Sequence, residues 1–282
     1  MVSSIIYASR IDSVESIFKL FDSIVAATLL YASPIWALSY LELIEEIQCD
    51  FIKQVFGLSR TTANALLRIE ILMMKDSRLP RICLYRLADL AKTDTSTAKT
   101  NGFKNFLSII ESISPEIAQS LARLNLYTWC SREEEFLNMY KNSLLQQDLR
   151  LANNSYYLQT YYTPTDPNFS YLRRRTNLQT LRVFAQLRLA SCYYCTINVN
   201  NCKYNFEYPQ NCPLCNLGEK DSIEHLLLSC PQLKNLRQHY ITTNFGPAPT
   251  IHDILNPHDS YIKPVYHFIQ NACTLRAFIL FE

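Results

Sequence analysis

The stretch Cys212-Pro-Leu-Cys215-Asn-Leu-Gly-Glu-Lys-Asp-Ser-Ile-Glu-His225-Leu-Leu-Leu-Ser-Cys230-Pro231 sets three thiols and one imidazole within 19 residues. Thiolate sulfur and imidazole nitrogen are the ligands that Zn²⁺ takes in a tetrahedron, and a Cys-x2-Cys turn presents two thiolates to one ion. Cys212, Cys215, His225 and Cys230 are therefore the expected metal ligands, with structural Zn²⁺ as the expected cofactor. Four protein ligands close the coordination sphere and leave no position for water, which favours a structural role over hydrolysis. The loop carries little apolar core of its own, so the ion should contribute folding free energy directly. His225 and Cys230 lie five residues apart. On an ideal α-helix that spacing overshoots a full turn by about 140°, so a helix should begin at or just before the histidine.

A second set shares part of this stretch. Cys192-Tyr-Tyr-Cys195 precedes Cys212-Pro-Leu-Cys215 by sixteen residues, the spacing of a four-cysteine ribbon, and Cys202 lies between the pairs. Against this set, Cys192 follows directly on a helical Gln186-Leu-Arg-Leu189, a poor frame for a two-residue knuckle.

Outward from the cysteines, the chain has 282 residues, 48% of them hydrophobic and 18% charged, with only four glycines. Few glycines and long Leu/Ile/Ala stretches point to a mainly α fold with short connections. Apolar residues recur at helical spacing over 12–31, about Leu41 to Phe56 (stopping at Gly57), 103–113, 115–126 and 132–151. A third helix should follow a cap at Ser59 or Thr62, and another should open at Pro80. A further helix is expected over 171–191, with β-type residues from Ile197 to Tyr208. The net charge of +2 is too small to imply a nucleic-acid partner by itself. Ten cysteines without a secretory leader read as reduced, intracellular thiols. Ser23 to Leu41 holds no charged residue, but its serines, Thr28 and Pro34 fit a buried, broken helix better than a membrane span. No Gly-rich phosphate loop, Gly-x-Ser-x-Gly turn or His-Glu-x-x-His occurs, so neither a small-molecule substrate nor a catalytic site is expected.

Between Leu149 and Phe206 stand Arg150, Arg173, Arg174, Arg175, Arg182, Arg188 and Lys203 against one acid, Asp166. Tyr156, Tyr157, Tyr161, Tyr162 and Tyr171 lie alongside. Guanidinium forks pair with phosphates and tyrosines stack on unpaired bases, so Arg173, Arg174, Arg175, Arg182 and Arg188 are the expected contacts to RNA or DNA. The same residues equally fit a solvated helix face above core tyrosines.

The string Cys-Pro-Leu-Cys-Asn…Glu-His-Leu-Leu-Leu-Ser-Cys-Pro resembles the zinc-binding segment downstream of the polymerase domain in insect non-LTR (LINE/Jockey-like) retrotransposon reverse transcriptases. Three more stretches are similar, in the same order. Leu29-Leu-Tyr-Ala-Ser-Pro-Ile-Trp36 looks like the segment that opens the thumb-like region. Leu43 to Asn64 resembles the helix and "G-L-P-R-x-T-P-N" pattern that follow it. Gln186-Leu-Arg-Leu189 resembles the helix that precedes the zinc ligands. The resemblance covers residues 10 to 240 and implies a thumb-like helical bundle over 1–91, a helical connector with the basic helix over 103–191 and a zinc module over 192–240. The polar, Thr-rich 92–102 stretch reads as a linker, and 241–282 is expected to be a helical tail.

Two departures limit what carries over. The family's Asp-Asp pair for catalytic Mg²⁺ lies upstream, and no Asp-Asp dipeptide occurs here, so polymerase activity is not expected. Between Glu70 and Asp76 the chain also lacks part of a helical stretch usual in the family. The resemblance thus implies a non-catalytic, zinc-stabilised module that binds RNA or DNA. A co-opted protein-interaction scaffold and a decayed relic stand as alternatives.

Overall fold

A computed structural model describes residues 13–29, 41–72, 101–122, 126–162, 170–173, 176–191, 194–200, 202–207 and 210–281. Expectations at Pro34, Trp36, Pro80, the 92–100 part of the linker, Arg174, Arg175 and Cys192 fall outside those residues, as does much of the apolar 23–41 stretch.

The first helix, α1 (Val14–Phe21), is capped by the Ser13 hydroxyl, which accepts from the Ser16 amide. It runs through a π-turn (Asp22–Ala26) into Ala27–Leu29. Its buried face of Val14, Ile17, Phe18 and Phe21 meets α2 (Leu41–Phe56), with the Phe21 and Phe51 rings 4.6 Å apart. Helix α2 stops where expected, at Gly57, whose φ of +62° favours glycine. The next helix, α3 (Asn64–Leu67), starts after Ala63 rather than at a hydroxyl cap on Ser59 or Thr62, and continues into a π-turn at Arg68–Leu72. Helices α4 (Asn101–Ile113), α5 (Pro115–Ala122) and α6 (Leu126–Leu151) form a packed group that touches α3. Arg68 joins that group to the core through Asp148 on α6, with Nε 2.9 Å from Oδ1.

After the short α7 (Tyr156–Thr160) and a 3₁₀ turn at Ser170–Arg173, the central element is α8 (Leu178–Arg188). The basic helix expected over 171–191 is thus two elements, and the regular helix begins only at Leu178, where the Asn177 side chain caps it. Nearly every residue of α8 is buried, because it packs on α2, on the hairpin and on two C-terminal helices. The hairpin pairs β1 (Tyr194–Val199) antiparallel with β2 (Cys202–Glu207), Tyr194 opposite Glu207. Alternation puts Cys195, Ile197 and Val199 into the core.

The rest is helical: α9 (Lys234–Arg237), extended by a π-turn at Gln238–Thr242 and by Thr243–Phe245, then α10 (Ile251–Leu255) and α11 (Asp259–Phe281). The fold is mainly α, with two strands among the described residues. One continuous hydrophobic cluster runs from Val14 to Cys273 and includes the cysteines of the 212–230 stretch. No helix among the described residues is long and apolar enough to cross a membrane.

Candidate metal centre

Residues 210–221 fold back on themselves. Asn211 bridges Lys220, the Cys212 amide donates to the Glu219 carbonyl at 2.8 Å, and the Asp221 amide donates to the Gln210 carbonyl at 3.0 Å. Between these rungs the chain reverses through Cys212-Pro-Leu-Cys215. Asn216 (φ +50°) and Gly218 (φ +76°) take the left-handed conformations that the reversal requires. The amides of Cys215 and Leu214 point at the Cys212 sulfur, and the Gln232 amide points at the Cys230 sulfur.

The other two donors come from a helical turn that starts at Ile223, with the Ser222 hydroxyl accepting from the His225 amide at 3.0 Å. From His225 to Ser229 the turn is π-helical. The Cys230 amide then donates to the His225 carbonyl at 2.7 Å, closing an i to i+5 ring. This wider turn reduces the phase error that the five-residue spacing would create on an α-helix, and brings Cys230 to the side of His225.

All four donor side chains are buried, and their ligating atoms lie within 4.8 Å of one another. His225 Nε2 is 3.5 Å from Cys215 Sγ, while its Nδ1 is 3.1 Å from the Ser229 hydroxyl. Nε2 is therefore the nitrogen turned to the cluster, and Ser229 orients the ring from behind. Burial raises the Cys212 thiol and pushes the Cys230 thiol up to about 11. Burial also lowers His225, against the opposing pull of Glu219 and Asp221, so the imidazole is neutral near pH 7. A cluster of buried thiols and a neutral imidazole with converging donors could hold a metal ion.

Two arginines brace the cluster, and neither carries a sequence signal. Arg237 donates from Nε to the Leu227 carbonyl at 2.8 Å, and from Nη2 to the carbonyls of Leu226 (3.4 Å) and Cys230 (3.0 Å). A helix end leaves such carbonyls without intrahelical donors. Arg276 on α11 pairs with Asp221, Nη1 to Oδ1 at 2.5 Å with a second contact from Nη2 to Oδ2, and Nη2 also reaches the Asn205 carbonyl at 3.1 Å. Its guanidinium lies 4.5 Å from the Phe206 ring centre. Ser222 is the one helper with a local signal, a hydroxyl three residues before the histidine.

Among the described residues of the rival set, neither Cys195 nor Cys202 joins the cluster. Cys195 lies in β1 facing the core, its thiol 3.8 Å from the Gln186 carbonyl and held protonated by burial, and Cys202 is exposed on β2.

The expected nucleic-acid residues fare differently, and Arg188 is corrected. It is 1% exposed and forms a forked ion pair with Glu70, Nε to Oε1 at 2.5 Å and Nη2 to Oε2 at 3.2 Å. Its Nη1 reaches the Leu255 carbonyl at 3.3 Å, so no phosphate can approach it. Three of the five tyrosines offered for base stacking are corrected with it, and for these the alternative of core tyrosines holds. Tyr157, Tyr161 and Tyr171 are buried around the Arg188 guanidinium, at 5.9, 4.8 and 5.3 Å from ring centre to Cζ. Tyr157 and Tyr171 donate their hydroxyls to Glu70, the latter at 2.7 Å. Arg182 is half-buried, with Nε on the Val55 carbonyl at 2.6 Å. Arg173 ends the 3₁₀ turn.

Comparison with known proteins finds no family model, no curated protein and no solved structure that matches this chain.

Proposed function

We propose that Cys212, Cys215, His225 and Cys230 hold one structural Zn²⁺, and that the chain is a non-catalytic, zinc-stabilised module that binds RNA or DNA. The carrying observation is the convergence of four buried donors within 4.8 Å of one another. Tetrahedral zinc with thiolates at about 2.3 Å sets its donors nearly 4 Å apart, which this cluster meets with small adjustments. When bound, the ion supplies a cross-link between the 212–215 turn and the 225–230 turn. The chain does the rest: the knuckle amides aim the sulfurs, the π-turn aligns Cys230 with His225, Ser229 fixes the ring, and Arg237 offsets the negative charge of three thiolates.

The nucleic-acid reading is supported by the resemblance of four ordered segments to the reverse transcriptase region. Arg173, Arg174, Arg175 and Arg182 stay in it as phosphate contacts, and Arg188 leaves it.

The test uses reduced protein from zinc-replete cells. Expected is one zinc per chain, lost in His225→Ala and Cys230→Ala. Binding to a labelled single-stranded RNA should weaken steeply with salt, as counterion release requires. Zinc retained by both variants sinks the metal assignment. Zinc without oligonucleotide binding at low salt sinks the nucleic-acid half and leaves a protein-interaction scaffold.

A further inference from the structure

A cavity of about 420 Å³ opens between the loop after α2, the start of α7 and the N-terminal half of β1. Its size lies within the range of about 300–1,000 Å³ found for small-ligand pockets. None of its lining residues, among the described residues, is Lys, Arg, Asp, Glu or His. The wall is apolar at Leu58, Leu66 and Leu189, with hydroxyl and amide groups between. A charged ligand would be desolvated there without a counter-charge, so the fitting occupant is neutral, partly apolar and able to exchange hydrogen bonds.

Three features narrow the class. Tyr194 at the mouth is 43% exposed. Its ring is nevertheless fixed, because its hydroxyl accepts from Thr196 at 2.9 Å and lies 3.3 Å from Asn205 Oδ1, and its amide is held by the Ser191 hydroxyl at 2.9 Å. An exposed ring locked in place is a platform for a flat partner that loses no rotamer entropy on binding. Next, Asn154 and Thr62 face the cavity with side chains that hold no hydrogen bond among the described residues. The carboxamide offers a donor and an acceptor side by side, the pattern that pairs with a base edge. Finally, Arg60 is exposed between the lining residues Ser59 and Thr61, on a loop held firm by Lys53 Nζ on the Arg60 carbonyl (3.1 Å) and by Gln186 on the carbonyls of Phe56 and Gly57 (2.9 and 3.1 Å). A neutral pocket with a cation on its rim suits a neutral heterocycle whose phosphate stays outside.

We infer that this cavity takes one nucleoside unit of a single-stranded nucleic acid, its base stacked on Tyr194, its edge met by Asn154 and Thr62, and its phosphate paired with Arg60. The inference rests on the nucleic-acid reading above, but uses none of the residues named there. Splayed bases stacked on aromatic side chains are how proteins commonly take single strands.

The test measures full-length, zinc-loaded protein against fluorescent twelve-nucleotide single strands, oligo(rU) and oligo(rA), by anisotropy. Tyr194→Ala should weaken binding roughly tenfold or more, with an unchanged salt slope, since stacking and not a phosphate contact is lost. Tyr194→Phe keeps the ring but loses its hydroxyl tethers, so it should bind between the wild type and Tyr194→Ala, which separates stacking from folding. Arg60→Ala should lower the salt slope by about one phosphate contact. Tyr194→Ala binding like the wild type overturns the pocket while sparing the nucleic-acid reading. A wild type that binds neither strand at low salt overturns both.

Discussion

Glu70 and Arg188, 118 residues apart in sequence, form a forked ion pair sealed from solvent, with the hydroxyls of Tyr157 and Tyr171 also donating to the carboxylate. The π-turn at Arg68–Leu72 delivers the acid and α8 delivers the base. Desolvation is expensive for both charges, and only the completeness of the network makes the arrangement tenable. Removing one partner leaves the other buried and uncompensated. Arg188→Met should therefore lower unfolding free energy by about 3–5 kcal/mol in urea titrations. Glu70→Leu with Arg188→Met should recover part of that loss but not all, because two buried tyrosine hydroxyls would then lack an acceptor. A loss under about 1 kcal/mol for Arg188→Met would show that the pair is solvated in solution.

The same pair shows where sequence reading stops. Helices from Val14, over Leu41–Phe56 and across 101–151 were legible because apolar periodicity and the stop at Gly57 are local signals. The buried cluster of Cys212, Cys215, His225 and Cys230 was legible for the same reason, since its four residues lie within 19 positions. Arg188 was misread because a charge count treats every arginine as solvated, and its partner lies in another segment. Tyr157 and Tyr171 followed it into the wrong role. The π-turn between His225 and Ser229 was invisible because the 3.6-residue period contains no account of an i to i+5 bond. The helix start just before His225 is legible nonetheless, because a five-residue spacing cannot put both side chains on one side of a longer regular α-helix.

Metal uptake should release protons. In the metal-free protein burial keeps the Cys230 thiol up at about 11 and raises Cys212, so both are protonated at neutral pH. Zinc binds the thiolates, so it competes with protons for these sulfurs. Apparent zinc affinity should then rise with pH from 6 to 9, and calorimetry in buffers of different ionisation enthalpy should show protons leaving on binding. His225 is lowered by burial, so its proton is the first of the set to leave as pH rises. An affinity that is flat with pH would mean that the thiols do not ligate.

Ser229 should tune the metal without touching it. Its hydroxyl sits 3.1 Å from His225 Nδ1, on the side away from the cluster. Loss of such an outer partner typically costs 10–100-fold in metal affinity. Ser229→Ala should weaken zinc binding by about tenfold in chelator competition, while the unfolding midpoint of the metal-free protein shifts little. Equal destabilisation of both forms, with affinity unchanged, would assign Ser229 to the fold alone.

Arg276 should carry the effect of the metal into the C-terminal helix. It pairs with Asp221, the residue before the Ser222 cap, and its guanidinium covers Phe206 of the hairpin. Removing the metal frees the 212–230 loop, and with it the buried carboxylate that α11 grips. Hydrogen exchange at the amides of 272–278 should therefore accelerate on chelation, alongside the loop itself, while exchange in α6 stays as it was. Arg276→Met should reproduce that acceleration with zinc still bound, and should cost about 3–5 kcal/mol of stability, because Asp221 is left buried without its counter-charge. Chelation that loosens the loop but leaves 272–278 protected would show that Arg276 holds the loop without being held by it.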